Sequence, residues 1–200
     1  MGFRHFHLLT VIYFYFVNIR MSLTRHKAIA IPVCYIGKEP HFLIVRDKRF
    51  KEWTFVTGGC RKREIYNPLQ CALRELEEET RGVVNIQSGA YSYFMFTSND
   101  PATPGTVDIY HVYVIDFPMS LMDQEKIITR FKIKKDLMDN NHIRFKKQYD
   151  ENDFIDFDTF SSMKSRKDLW KIIHVYVVDS EHFENALKSK RTLFSMPKSK

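Results

Sequence analysis

Gly58-Gly59-Cys60-Arg61-Lys62-Arg63-Glu64, followed after Ile65 and Tyr66 by Asn67-Pro68-Leu69-Gln70-Cys71-Ala72-Leu73-Arg74-Glu75-Leu76-Glu77-Glu78-Glu79-Thr80-Arg81-Gly82, decides how the rest of the chain is read. A glycine pair closes an apolar run, a basic loop follows, and the pattern then turns helical. Asn67 is a suitable N-cap, Pro68 suits the first helical position, and Gln70 is placed for a capping-box contact. Gly82 predicts a left-handed close to the helix. At about 100° per residue, Leu69, Ala72, Leu73 and Leu76 gather on one face, which is expected to be buried. Glu75, Glu78 and Glu79 fall on a second face, with Arg74 beside them.

Three carboxylates on one strip of helix repel each other unless something neutralises them. An acidic strip is ordinarily a solvated face with exposed intrahelical pairs. Here it coincides with a glycine turn and a basic loop, and oxygen-only donors suit a hard divalent cation such as Mg²⁺ or Mn²⁺. A cation held there could hold phosphate oxygens and activate a water.

These residues resemble the signature of the Nudix hydrolases: a glycine, a glutamate after a short loop, then Arg-Glu-apolar-any-Glu-Glu-any-Gly. Arg74-Glu75-Leu76-Glu77-Glu78-Glu79 matches its core position by position. The departures lie around it. Nine residues rather than seven separate Glu64 from Arg74, Thr57 stands where a proline often precedes the glycines, and Gly82 comes one position late, after Arg81. These changes put the role of Glu64 in doubt and leave the Arg74–Glu79 face intact.

The resemblance implies an α/β fold, a Nudix-like α/β/α sandwich with a mixed sheet between helices. It also implies a pyrophosphohydrolase with Mg²⁺ or Mn²⁺ as cofactor. Arg74, Glu75, Glu78 and Glu79 are then the catalytic candidates, and Glu75, Glu78, Glu79 and Glu151 the metal ligands. Glu151 is chosen from the acidic run before Phe154–Asp158, with Asp153 as second choice. Gly58 and Gly59 would let the loop approach the site without side-chain clash.

At 200 residues, 44% hydrophobic and 28% charged, the chain has the composition of an ordinary globular domain with room for a core. Cys34, Cys60 and Cys71 form an odd set without metal-ligand spacing, which reads as reduced thiols and a cytoplasmic setting. The net charge of +7 favours polyanionic partners. The apolar run Leu8–Val17 is too short to span a bilayer, which takes about 20 residues, so stable membrane association is not expected. Residues 1–20 read as a leader outside the fold, with translation starting at Met21. A single domain is expected over 21–190 and a frayed tail over 191–200.

Within that domain Ala28–Ile36 and His41–Arg46 read as a hairpin around the turn Gly37-Lys38-Glu39-Pro40. Trp53–Thr57 leads into the glycine pair. Arg46 is a candidate phosphate ligand and Trp53 a base-stacking residue, the latter against the simpler reading of a core-edge aromatic. Val83–Ile86, Ala90–Thr97 and Val107–Phe117 read as strands. A basic insertion at about 119–150 reads either as a solvated face or as a charged wall for RNA, with Phe131, Phe145 and Tyr149 interleaved as stacking platforms. The segment from about Lys167 to Lys188 reads as one helix, with a strand through His174–Val178 as competitor.

The substrate expected is a nucleoside diphosphate linked to another group, with capped mRNA as lead and hence a decapping-like member of the family. Dinucleoside polyphosphates, nucleotide sugars, inositol pyrophosphates and damaged nucleoside triphosphates are the alternatives. A non-catalytic RNA- or protein-binding module is the rival of another class.

Overall fold

The first strand, β1 (Leu23–Ile36), has Ala28, Ile29, Ala30, Ile31 and Val33 buried, so both of its faces are covered, and its near-continuous apolar run is what that burial requires. In this computed structural model residues 23–99, 103–140 and 149–196 are described; the expected leader lies outside them. β1 runs parallel to β6 (Thr106–Asp116) along most of its length. On its other side it pairs with two strands in turn. Its C-terminal half forms a hairpin with β2 (Glu39–Asp47), turning at Gly37, which has φ +65°. Its N-terminal half pairs with β4 (Val56–Gly59), so Lys27 faces Gly59 and Ala28 faces Gly58.

The sheet is mixed, in the order β3-β2-β1-β6-β5-β8, with β4 added on β1 and β7 on β2. Here β3 is Trp53–Thr54, β5 Ser88–Asn99, β7 Asn152–Thr159 and β8 Thr192–Ser195. Helices α1 (Pro68–Glu79) and α2 (Leu121–Asp139) cover one face. There Leu69, Ala72 and Leu76 meet Ala28, Ala30, Leu43 and Val45. Helices α3 (Phe160–Ser165), α4 (Lys171–Ile173) and α5 (Glu181–Lys188) cover the other, with Phe183 against Phe42 and Phe55. Each such side chain taken from water contributes roughly 1.5–3 kcal/mol. The expected α/β/α sandwich is the observed architecture.

Several local expectations are corrected. Val83–Ile86 is an irregular connection, although Val84 and Ile86 are buried in the core. Their apolar character reflects packing under α1 and not strand pairing. Asn67 makes no side-chain capping bond, so the Asn67–Gln70 box is not formed; the Gln70 N–H donates to the Asn67 carbonyl instead, at 3.0 Å. The C-terminal segment is not one helix. α4 runs into a π-wound stretch, His174–Val178, and a new helix starts at α5, where Ser180 accepts from the Phe183 N–H. Ser180 is a stronger helix start than the apolar periodicity around it. The tail is not frayed at 192–195, because β8 pairs antiparallel with β5.

The basic segment forms α2, started by a Ser120–Asp123 capping box. Phe131 is fully buried beneath the Arg81 guanidinium and is therefore no stacking platform. Phe145, Arg144, Lys146 and Lys147 lie outside the described residues. Among the described residues no helix is long and apolar enough to cross a membrane.

Candidate active site

α1 places its acidic strip against the glycine turn of β4 and not in water. Glu78 and Glu79 are buried, and Glu75 is nearly so. The solvated-face reading is thereby excluded. Arg74 is the hub: its Nη1 lies 2.7 Å from Glu75 Oε1 and 2.9 Å from Glu78 Oε2, and its Nη2 donates to the Gly59 carbonyl at 3.0 Å. Its other edge grips Glu64 in a two-pronged contact, Nε to Oε1 at 2.8 Å and Nη2 to Oε2 at 2.9 Å. Glu64 is thus an anchor for Arg74. The longer spacer between them is absorbed at the surface: Lys62–Glu64 forms a 3₁₀ turn, and Ile65 and Tyr66 bulge outward, Tyr66 at 92% exposure.

Electrostatics divides these carboxylates into two kinds. Hydrogen bonds from Arg74 hold the Glu64 carboxyl at about 2, against the opposing effect of burial. Glu75 is shifted the other way: burial raises its pKa, Arg74 opposes, and Glu78 and Glu151 add to the rise. Burial pushes Glu79 well above the ordinary carboxylate range; the Asn152 side chain, donating to Oε2 at 3.0 Å, only partly offsets it, and Glu75 and Glu151 drive it further. Glu75, Glu79 and Glu151 therefore burden one another with negative charge that Arg74 does not fully balance.

These donors suit a hard divalent cation in chemistry: oxygen only, buried, and mutually repelling. Among the described residues no three His, Cys, Asp or Glu side chains converge on one point as they stand. The fit therefore rests on the donor set and on its burial, since Arg74 and Arg61 already pair with Glu75 and Glu78.

A cleft of about 390 Å³ opens beside the strip, lined by Gly58, Gly59, Glu79, Glu151 and Asn152 on one side and by Lys27, Phe50 and Trp170 on others. Phe50 stands 64% exposed at its rim. Lys27 sits 2.9 Å from Asp108 Oδ2 and 3.3 Å from the Tyr110 hydroxyl. Burial works against its charge, but those partners outweigh it and raise its pKa, so it stands at the cleft as the charged half of its ion pair with Asp108.

Of the residues singled out in the sequence, Arg74, Glu75, Glu78, Glu79, Gly58 and Gly59 come together here, and Glu151 joins them from the loop before β7. Arg46 and Trp53 have other partners. Arg46 makes a two-pronged contact with Asp153, both bonds 2.9 Å, and lies 4.3 Å over the Phe154 ring. The second-choice ligand Asp153 is committed to Arg46 and Lys51, which draw its carboxyl to about 2 despite burial. Trp53 packs against the core on the α5 face with Arg166 4.9 Å over its ring, as the core-edge reading had it.

Sequence reasoning missed Lys27, Phe50, Trp170 and Asn152. None carries a local signal, because each reaches the cleft through strand pairing or a distant loop. Arg81 did carry one, as a large charged residue at the helix end where glycine is usual. It adopts φ +55°, and the Gly82 N–H closes on the Glu77 carbonyl at 2.6 Å. A left-handed arginine costs about 1–2 kcal/mol.

The NUDIX domain family matches residues 24–136 of the chain. A search of the curated proteins finds no match. Similar solved structures include the NUDIX domain of Shewanella oneidensis NrtR complexed with ADP ribose, at 14% identity and TM-score 0.49, covering 88% of this chain and 96% of that one. A C. elegans Ap4A hydrolase binary complex is 12% identical with TM-score 0.47, covering 75% and 90%. A NUDIX hydrolase from Listeria monocytogenes is 18% identical with TM-score 0.47, covering 82% and 94%.

Proposed function

The chain belongs to the NUDIX family of pyrophosphohydrolases, and from that premise we propose that it hydrolyses the phosphoanhydride of a nucleoside diphosphate linked to another group. Glu75, Glu78, Glu79 and Glu151 would hold the Mg²⁺ or Mn²⁺ that the family generally uses. The observation that carries this reading is the packing of the acidic strip, with Glu78 and Glu79 buried and Glu75 nearly so, against the Gly58 turn beside the cleft; burial there raises the pKa of Glu75 and Glu79. Such an arrangement is costly unless a cation completes it.

When bound, the cation supplies Lewis acidity that neutralises phosphate oxygens and lowers the pKa of a water. The chain's own residues do the rest. Arg74 fixes the orientation of Glu75 and Glu78, and Glu64 fixes Arg74. Glu75 or a downstream glutamate would take the proton of the attacking water, with its proton affinity set by the neighbouring cation. Gly58 leaves room for the Glu75 carboxyl, which a side chain there would displace. Lys27, held charged by Asp108, would lie beside a phosphate in the cleft, and Phe50 and Trp170 are the aromatic side chains lining it that could receive a base.

Capped RNA is the lead substrate on the strength of the +7 net charge. Dinucleoside polyphosphates, nucleotide sugars and inositol pyrophosphates are the alternatives. The test is Mg²⁺-dependent product release from capped RNA and a panel of these compounds, comparing the natural chain with Glu78→Gln. The expected result is turnover of one substrate class, nearly abolished in a folded Glu78→Gln protein. Equal turnover in both proteins removes the catalytic assignment, and RNA binding without turnover in either supports a binding module instead.

A further inference from the structure

Arg81 is fully buried although it carries a charge, and its contacts point to one short segment. Its Nη2 donates to the Asn152 carbonyl at 2.7 Å and lies 3.1 Å from Asp150 Oδ1. Its guanidinium lies 4.4 Å over the Phe131 ring and its Nε contacts Met138 Sδ at 3.2 Å, both on α2. Its own carbonyl accepts from Lys134 Nζ at 2.7 Å. Arg81 therefore grips the residues immediately before and after Glu151, and anchors them to the end of the helix that carries Glu75, Glu78 and Glu79.

We propose that Arg81 is a positioning residue that holds the Glu151 loop in place for cation binding. The proposal rests on the reading of Glu151 as a ligand, and it extends that reading to a residue that touches neither cation nor substrate. Two further bonds complete the brace. The Asn152 side chain donates to Glu79 Oε2 at 3.0 Å, and the Lys48 N–H donates to the Glu151 carbonyl at 2.9 Å. The Glu151 and Asn152 carbonyls and the Asp150 carboxylate are thus tied down, and Glu151 lines the cleft. The residue type fits the task. A glycine would relieve the left-handed backbone at this position but could not reach across to β7, and a lysine would lack the flat guanidinium that lies over Phe131 while its Nη2 meets both Asp150 and Asn152.

The test uses Arg81→Met, which keeps the apolar packing, and Arg81→Gly, which relieves the backbone, so that at least one variant retains the fold. Mn²⁺ affinity is measured by calorimetry without substrate, and amide exchange is followed at Glu151 and Asn152 in cation-free protein. Loss of an outer partner of this kind weakens metal affinity by about 10–100-fold, and that loss is expected in both variants together with faster exchange at the two amides. In Arg81→Met/Glu151→Gln the loss should fall well short of the product of the two single losses, because Arg81 acts mainly through the segment that carries Glu151. Mn²⁺ affinity in Arg81→Met and Arg81→Gly within twofold of the natural chain, or losses that multiply in the double variant, overturns the proposal while leaving Glu151 a ligand. Unchanged Mn²⁺ affinity in Glu151→Gln removes the ligand reading itself, and the proposal falls with it.

Discussion

Gly58 and Glu75 occupy adjoining space so tightly that a methyl group on the glycine would overlap the Glu75 carboxyl group. Its neighbour Gly59 has nothing within 4 Å of the same position. The two glycines that look equivalent in the sequence are thus unequal. Gly58→Ala is expected to displace Glu75, lowering kcat by about 100-fold and stability by about 1–3 kcal/mol. Gly59→Ala should stay within about threefold of the natural kcat. Steady-state kinetics and thermal melts on both variants check this, and equal effects would contradict it.

Glu64 should show itself in acid. Its carboxyl sits at about 2 in the fold against an ordinary 4.5. A depressed folded-state pKa gives stability that is complete above 4.5 and lost as pH falls toward 2, here up to about 3 kcal/mol. Asp153, also at about 2, adds to the same window. In cation-free protein, Glu64→Gln should be less stable at pH 7 and flatten the acid limb of the stability curve without abolishing it. Parallel curves for the two proteins would show that the Arg74–Glu64 contact contributes no linkage.

Glu79 has the opposite sign. Its pKa is raised in the fold, so its contribution is full below the ordinary carboxylate value and is lost as pH rises through the raised one. Without cation, Glu79→Gln should therefore be more stable than the natural chain at pH 8, and the difference should vanish toward pH 4. A variant less stable at every pH would mean that the buried carboxylate is already compensated.

The two tryptophans should separate. Both pack against the same core cluster, but Trp170 also lines the cleft, whereas Trp53 lies under Arg166. Trp170→Ala is expected to raise KM by about tenfold, the scale of one lost stacking contact, in addition to the stability it loses through its core packing. Trp53→Ala should cost about 2–3 kcal/mol of stability with KM nearly constant. Kinetics and denaturant titrations read both; the reverse pattern would restore Trp53 as the base-stacking residue.

What was legible in the sequence was whatever a single element encodes. The wheel of Pro68–Glu79 carried both its buried face and its acidic face, so Leu76 and Glu79 were placed correctly by periodicity alone. Long alternating or apolar strands were plain over their apolar part, as at Ala28–Ile36, although that strand begins at Leu23. Residues whose meaning depends on pairing were not legible. Lys27 reaches the cleft because β4 folds back on β1, and Trp170 because its N–H bonds to the Trp53 carbonyl at 2.8 Å. Arg46 looked like a phosphate ligand because its partner Asp153 is 107 positions away in the chain. Thr192–Ser195 looked frayed because an edge strand of four residues has no periodicity to read.

Calorimetric titration of the folded protein with Mn²⁺, before any substrate is added, tests most directly whether the buried carboxylates around Gly58 exist to capture a cation. Saturable uptake is predicted in the natural chain, weakened at least tenfold in Glu75→Gln and in Glu79→Gln. No uptake by protein that melts cooperatively, or uptake that neither substitution changes, would contradict the account.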